Sequence, residues 1–270
     1  MIPAPFDYIS AQSAEHAIEL LTARGDDAKL LAGGHSLLPM MKLRLAQPEL
    51  LIDIGPLTEL AGVSVDGADL VIGATTRHAD LAASALARAE APLLAYAASQ
   101  VGDPQIRHRG TIGGSLSHAD PAADLPMALV ALGGTMVVQG PSGTREVAAD
   151  DFFESYFETA LRPDELLTAV RVPRQPGVPW GYQKFVRRAN DWAIVGVAAI
   201  GGRIALANMG PKPLRATVAE QALTAGASPA EAAERAADGT SPGEDMHADR
   251  EYRRHLARVL TRRALEHERG

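Results

Sequence analysis

Apolar residues along this chain switch repeatedly between helical spacing and short continuous runs, and the switching predicts an α+β fold. Ser13 to Arg24 reads as a helix. Ser13 can cap it, Ala14, Ala17, Ile18 and Leu21 form one face, and Gly25 stops it. Lys29-Leu30-Leu31 and Leu51–Ile54 read as strands, with a short helix opened by Pro39 and running to Leu45 between them. Val63 to Ile72 reads as a hairpin turning at Asp66-Gly67. Helical patterns follow at Thr76–Ala87 and Pro92–Ser99. A further helix is predicted over Asp124–Leu132, with Asp124 as its cap and Pro126 in its first turn. Thr135–Gln139 and Leu166–Val172 read as strands, with a turn at Pro141-Ser142-Gly143.

Arg174-Gln175-Pro176-Gly177-Val178-Pro179 breaks every periodicity and predicts a boundary. Strand-like runs follow at Gly181–Arg187, Ala193–Ile200 and Ile204–Asn208. Helices are then expected at Thr217–Leu223, Ser228–Ala237 and Glu251–His267, the last with Tyr252, Leu256, Val259 and Leu260 on one face and its arginines elsewhere. The chain thus reads as two units, 1–175 and 176–270, the first dividing again near 57 into 1–57 and 58–175. No repeat at solenoid spacing is present.

Composition narrows the function. The chain has 270 residues, 46% of them hydrophobic, enough for a substantial core. A net charge of −7 argues against a nucleic-acid partner, which needs a basic face. The lack of cysteine removes disulfides, thiolate zinc sites and cysteine-ligated iron–sulfur clusters. No apolar run of about 18 residues is available to span a membrane. The start, Met1-Ile2-Pro3-Ala4-Pro5-Phe6-Asp7, lacks the basic and apolar regions of a signal peptide, so the expected compartment is the cytoplasm.

The chemistry points to two glycine pairs. Ala32-Gly33-Gly34-His35-Ser36 follows an apolar run and leads into Leu37, and Thr111-Ile112-Gly113-Gly114-Ser115 places its pair between two hydroxyls. A glycine pair lets backbone approach a ligand without a Cβ in the way and permits positive φ. Successive N–H groups can then converge on an anion. Two such loops form a two-sided clamp, which suits a diphosphate better than a single phosphate. The chain carries neither G-x-G-x-x-G after its first strand nor G-x-x-x-x-G-K-[ST], so a Rossmann domain and a P-loop are not expected. His35, His118 and Asp120 fall near the loops, but their spacing matches no metal-ligand pattern.

With both loops in place, the chain resembles the FAD-binding medium (flavoprotein) subunits of the molybdenum hydroxylases. The resemblance is strongest to the medium subunit of aerobic carbon monoxide dehydrogenase and extends to the FAD portions of xanthine and nicotine dehydrogenases. It rests on ordered blocks along nearly the whole chain: Phe6-Asp7-Tyr8, Ala32 to Pro39, Asp103-Pro104-Gln105-Ile106-Arg107, Gly110 to Gly114, and Asp120-Pro121-Ala122-Ala123-Asp124. Lys184, Asp191-Trp192-Ala193, Pro213-Leu214-Arg215-Ala216 and Glu251-Tyr252-Arg253-Arg254 complete the series.

The resemblance implies a two-lobed, PCMH-type (vanillyl-alcohol-oxidase-like) FAD-binding domain followed by a small α+β C-terminal domain of the CO dehydrogenase flavoprotein type. It implies FAD as cofactor and, as partners in a heterohexamer, a small iron–sulfur subunit and a large molybdopterin subunit. Molybdopterin and iron–sulfur clusters are expected only in those partners. A peripheral membrane association of the whole complex is compatible with this, although no span is expected.

By the same resemblance Ala32, Gly33, Gly34, His35, Ser36 and Leu37 form the first diphosphate segment, and Thr111, Gly113, Gly114 and Ser115 the second. Ser115 stands where relatives commonly carry Asn, a longer donor. Asp120 and Asp124 are expected at the site, Asp124 contacting the ribityl or adenosine portion. Leu167 is expected to bring backbone to the isoalloxazine edge, Lys184 a cation to the pyrimidine edge, and Trp192 an aromatic shield to one flavin face. Beside each stands a plainer reading: turn glycines, a helix cap at Asp124, a core strand residue at Leu167, a surface lysine, and a core or interface tryptophan. No residue of this chain is expected to be catalytic towards the substrate. Carbon monoxide, a purine and an N-heterocycle fit equally, because substrate binds the large subunit in this family. Two rival readings are a stand-alone FAD oxidase or reductase of the same fold, and a scaffold that has lost FAD.

Overall fold

The computed structural model describes residues 2–266, so the predicted end of the last helix at His267 lies outside the described residues. The first lobe runs β1 (Asp7–Ser10), α1 (Ala14–Arg24), β2 (Ala28–Leu31), α2 (Leu37–Lys42) and β3 (Leu50–Asp53). Its three strands form a parallel sheet in the order β1-β3-β2. Ser13 caps α1 by accepting from the His16 N–H at 3.2 Å, and Ala14, Ala17, Ile18 and Leu21 are the buried face.

The second lobe begins with the hairpin β4 (Val63–Asp66) and β5 (Asp69–Gly73). Six helices follow: α3 (His78–Ala83), α4 (Ala85–Glu90), α5 (Pro92–Ser99), α6 (Pro104–Arg109), α7 (Ile112–His118) and α8 (Asp124–Leu132). It closes with β6 (Thr135–Gly140), β7 (Gly143–Ala148), α9 (Ala149–Phe152), β8 (Phe153–Ser155), β9 (Glu158–Thr159) and β10 (Leu166–Pro173). Here the main sheet is antiparallel, in the order β4-β5-β10-β6-β7.

The final unit contains β11 (Trp180–Phe185), β12 (Val195–Ile200), β13 (Arg203–Ala207) and β14 (Leu214–Arg215), then α10 (Thr217–Thr224), α11 (Pro229–Glu234) and α12 (Arg250–Glu266). Its sheet is a layer between two cores. Trp180, Tyr182, Ala198, Ile200, Ala205 and Ala207 pack into the core around α5 and α8. Val195, Val197, Ala199, Ile204 and Leu206 face the other way, towards α12. This explains the unbroken apolar run of β12, whose every residue is buried.

Several sequence-based expectations are corrected. The helix expected over Thr76–Ala87 is two helices, because Ser84 is extended and its side chain caps α4 by accepting from the Ala87 N–H. Arg77 before them is held extended by a bridge to Thr111. The helix expected at Pro39–Leu45 starts earlier, at Leu37; Pro39 sits in its first turn, where no intrahelical donor is needed. Strand β1 and helix α6 were not expected. On α12 the buried face is Arg253, Leu256, Ala257, Leu260, Thr261 and Ala264, so Tyr252 is outside and one arginine inside.

The packing of α12 on β11 depends on Gly181, where a Cβ would lie 2.0 Å from the Ala264 carbonyl oxygen. Gly181→Ala is expected to cost about 2–3 kcal/mol by overpacking. Urea unfolding checks this; a change within about 0.5 kcal/mol, the range of a neutral surface substitution, would show that the helix does not lie on that strand.

Candidate functional site

The two glycine segments meet because backbone meets backbone. A Cβ on Gly33 would lie 2.2 Å from the Arg109 carbonyl oxygen, so the first segment rests directly on the end of α6. A Cβ on Gly113 would lie 2.6 Å from the Ala74 side chain, so α7 rests on the end of β5. The Arg77 guanidinium holds α6 in place by donating to the carbonyls of His108 and Arg109 at 2.9 and 3.2 Å.

Between the segments lies a cavity of about 840 Å³, which Ala32, Gly33, Gly34, His35, Ser36 and Leu37 line on one side. Thr111, Gly113, Gly114, Ser115, Asp120 and Asp124 line the other, with Leu167 of β10 and Trp192 from the β11–β12 loop. Every expected site residue except Lys184 reaches this wall.

The two segments differ in what they offer a ligand. The N–H groups of Gly33, Gly34, His35, Ser36 and Leu37 have no acceptor in the protein among the described residues, and Gly34 stands at φ +74°. Unpaired donors of this kind call for an anion or water. The second glycine pair instead opens a helix, which corrects the picture of two matching loops. Gly113 donates to the Ala74 carbonyl at 2.8 Å, Gly114 to the Thr111 hydroxyl at 3.2 Å, and Ser115 to the Thr111 carbonyl at 3.0 Å. Those N–H groups are spent inside the protein. What α7 gives the cavity is a smooth floor at Gly114 and the hydroxyl of Ser115.

Asp124 is the first residue of α8 and not its cap; Ala123 holds that position. Its carboxylate instead turns to β11, where the Tyr182 hydroxyl donates to Oδ1 and Lys184 Nζ donates to Oδ2 at 2.9 Å. Lys184 also donates to the Gln100 carbonyl at 3.0 Å. Burial pushes the Asp124 carboxyl up from the ordinary carboxylate range, while Lys184 and the Tyr182 hydroxyl oppose that rise. The plainer reading of Lys184 as a surface lysine is corrected: the ammonium lies behind Asp124 and is paired with it. Tyr182 was missed, although it lies two residues from Lys184 and so on the same strand face.

His78 was also missed. It lines the cavity, is buried, and leaves its Nδ1 without a hydrogen-bond partner in the protein. Burial, with smaller contributions from His35 and Arg107, lowers its pKa to about 4. Nothing in the local pattern Thr75-Thr76-Arg77-His78 signals this; only the fold brings His78 under Gly110.

Residues 4–175 match the family described as the FAD binding domain in molybdopterin dehydrogenase, and residues 180–267 match the CO dehydrogenase flavoprotein C-terminal domain. The chain belongs to the FAD-binding subunits of the molybdenum hydroxylases, an oxidoreductase family. It is similar to the carbon monoxide dehydrogenase medium chain of Hydrogenophaga pseudoflava, at 43% identity over 98% of this chain and 97% of that one. It is 38% identical to the 6-hydroxypseudooxynicotine dehydrogenase complex subunit alpha of Paenarthrobacter nicotinovorans, over 98% of this chain and 95% of the relative. Among solved structures, carbon monoxide dehydrogenase from Hydrogenophaga pseudoflava lacking the Mo-pyranopterin moiety superposes with a TM-score of 0.95 at 45% identity, covering 98% of each chain. Quinoline 2-oxidoreductase from Pseudomonas putida 86 gives a TM-score of 0.92 at 33% identity, covering 98% of this chain and 97% of that one. No helix among the described residues is long and apolar enough to cross a membrane.

Two outcomes follow from the site's geometry. A Cβ at Gly114 meets nothing but the Thr111 hydroxyl, at 2.9 Å, and otherwise projects into the cavity. Gly114→Val should therefore fold, as read by circular dichroism, yet retain no FAD after reconstitution; undiminished flavin content would remove Gly114 from the binding wall. His78 gives a pH dependence. The unfolded chain takes up its proton near pH 6.5 and the folded chain only at about 4, so stability falls as pH drops through that window. The loss attributable to His78 is about 2 kcal/mol at about pH 5. Comparing urea unfolding at pH 7 and 5 in wild type and His78→Gln should show that much less acid sensitivity in the variant. Equal sensitivity would place the histidine in a solvated environment.

Proposed function

We propose that this chain is the electron-transferring flavoprotein of a molybdenum hydroxylase complex, taking electrons from iron–sulfur clusters of a small partner subunit and passing them to an external acceptor. A large molybdopterin subunit would oxidise the substrate. The observation that carries this reading is the run of unpaired N–H groups from Gly33 to Leu37 in a cavity whose opposite wall includes Asp124, with Tyr182 and Lys184 paired to that carboxylate from behind. Donors without acceptors match a diphosphate. Each hydrogen bond to a charged group contributes about 1.5–3 kcal/mol, so a few suffice to anchor a dinucleotide. The chain has no cysteine to ligate clusters, so in this reading the clusters that feed the flavin belong to another subunit.

FAD, when bound, supplies the exchange between one- and two-electron transfer. The protein's part is to hold and tune it. The first segment's N–H groups and the Ser36 hydroxyl bind the diphosphate, with Thr111 and Ser115 opposite. Asp124 accepts hydroxyl hydrogen bonds from the ribityl chain on the lone pairs that Tyr182 and Lys184 leave free. Leu167 brings its backbone to the ring edge, and Trp192 covers one ring face. Lys184 adds positive charge on the pyrimidine side, offset by Asp124.

Co-expression with neighbouring genes and purification through this chain should recover molybdopterin- and iron–sulfur-containing partners together with the flavin's visible absorbance. A lone chain that holds FAD and turns over a substrate unaided would favour the stand-alone oxidase. Within the complex, Lys184→Met should lower the flavin potential by about 30 mV, equivalent to about 1.4 kcal/mol for a two-electron couple. Potentiometric titration checks this, and an unmoved potential would put Lys184 outside the flavin's field.

A further inference from the structure

Trp192 is 53% exposed and lies between β11 and β12, outside any regular element. Its place at the cavity depends on what anchors the two residues that follow it. The Ile194 N–H donates to the Phe185 carbonyl at 2.8 Å, and Asn208, just past β13, holds the two carbonyls. Its side-chain amide donates to the carbonyls of Ala193 at 2.9 Å and Ile194 at 3.3 Å. Its own backbone N–H donates to the Pro121 carbonyl at 2.8 Å, within the Asp120–Asp124 wall. One residue thus ties the loop of the final unit to the cavity wall of the unit before it. A second donor reaches the same loop from behind: the guanidinium of Arg253, 2% exposed, donates to the Ile194 carbonyl and to Asp245 at 2.7 Å.

Asn208 stands at φ +60°, a left-handed conformation that glycine adopts at least cost and asparagine tolerates better than most residues. If the position served only to turn the chain after β13, glycine would do so with less strain. The amide, with both of its acceptors on the Trp192 loop, is what glycine would lack. We infer that Asn208 is a positioning residue that fixes the Trp192 indole at the cavity mouth; its effect on a flavin, though not on the indole, rests on the reading of the cavity as the FAD site.

The test uses the full chain with Trp180→Phe, which leaves Trp192 as the only tryptophan. Asn208→Gly keeps the turn and the N–H to Pro121 but deletes the amide. Losing two hydrogen bonds of about 0.7 kcal/mol each raises the displaced-loop population about ten-fold. Acrylamide quenching of Trp192 should rise and its anisotropy fall. Asn208→Asp keeps the shape and the left-handed preference but cannot donate, so it should behave the same way, and it carries the test if the glycine variant does not fold. With FAD bound in the assembled complex, either variant should brighten flavin emission, because a stacked indole quenches it, and adding Trp192→Phe should bring no further gain. Unchanged Trp192 quenching and anisotropy in a folded variant overturns the assignment, as does a flavin brightening that adds to that of Trp192→Phe. An altered indole signal in a parent protein that holds no FAD upholds the positioning role and sinks the flavin reading instead.

Discussion

The site depends on two close approaches of backbone to backbone. Gly33 lies against the Arg109 carbonyl and Gly113 against Ala74, each closer than any side chain permits. The first contact brings the end of α6 in the second lobe against the segment that follows β2 of the first, and the second seats α7 on the end of β5. The cavity is the space left when that packing is satisfied. Protein interiors leave few voids larger than a water molecule, so a cleft of about 840 Å³ is a feature the fold maintains. The N–H groups of the first segment mark its function. None of the five residues from Gly33 to Leu37 is buried, so their consecutive donors stand open to water or an anion in the cleft.

The final unit is more than an appendage. Its sheet lies between two cores, and one face carries Tyr182 into the core around α8. That same strand delivers the hydroxyl and the ammonium that neutralise Asp124. A buried carboxylate stripped of partners costs several kcal/mol, so α8 can present Asp124 to the cavity only because β11 stands behind it. Arg203, at the start of β13, adds a second tie by donating to the Val130 and Ala131 carbonyls at the end of α8, at 2.8 and 3.0 Å. Both ends of α8 are therefore fixed by the final sheet, which couples the site's geometry to that sheet's packing.

What was legible in the sequence followed from strong local signals. Ser13 and Gly25 bracket α1 because cap chemistry is local, and Pro92–Ser99 is recovered in full because its apolar positions match the helical period. The glycine pairs announced the site, yet their difference was invisible. Whether an N–H is free depends on partners far away in the chain, such as Ala74 for Gly113 and Thr76 for Ile112. The break at Ser84 was overlooked although its signal is local: an extended serine whose side chain accepts from the Ala87 N–H starts a new helix. Arg253 read as one of several solvated arginines because nothing in α12 shows that the Ile194 carbonyl awaits it. Local chemistry was readable; pairings that the tertiary fold creates were not.

The pairing of Lys184 with Asp124 changes how this wall can act on a bound flavin. A lone cation about 4 Å from a negative charge contributes about 4 kcal/mol at an effective dielectric constant of about 20. With a carboxylate 2.9 Å from the ammonium, the flavin would face a dipole, whose field falls more steeply with distance than that of a charge. The pair can nonetheless be shifted. Burial raises the Asp124 pKa, so protonation of that carboxyl would unmask the lysine charge. Tyr182 guards against this by donating to the carboxylate, favouring its ionised form. Tyr182 and Lys184 thus favour the ionised carboxylate and the neutral pair, and burial opposes them. For a flavin bound beside this wall, the field would depend on all three residues and not on the lysine alone.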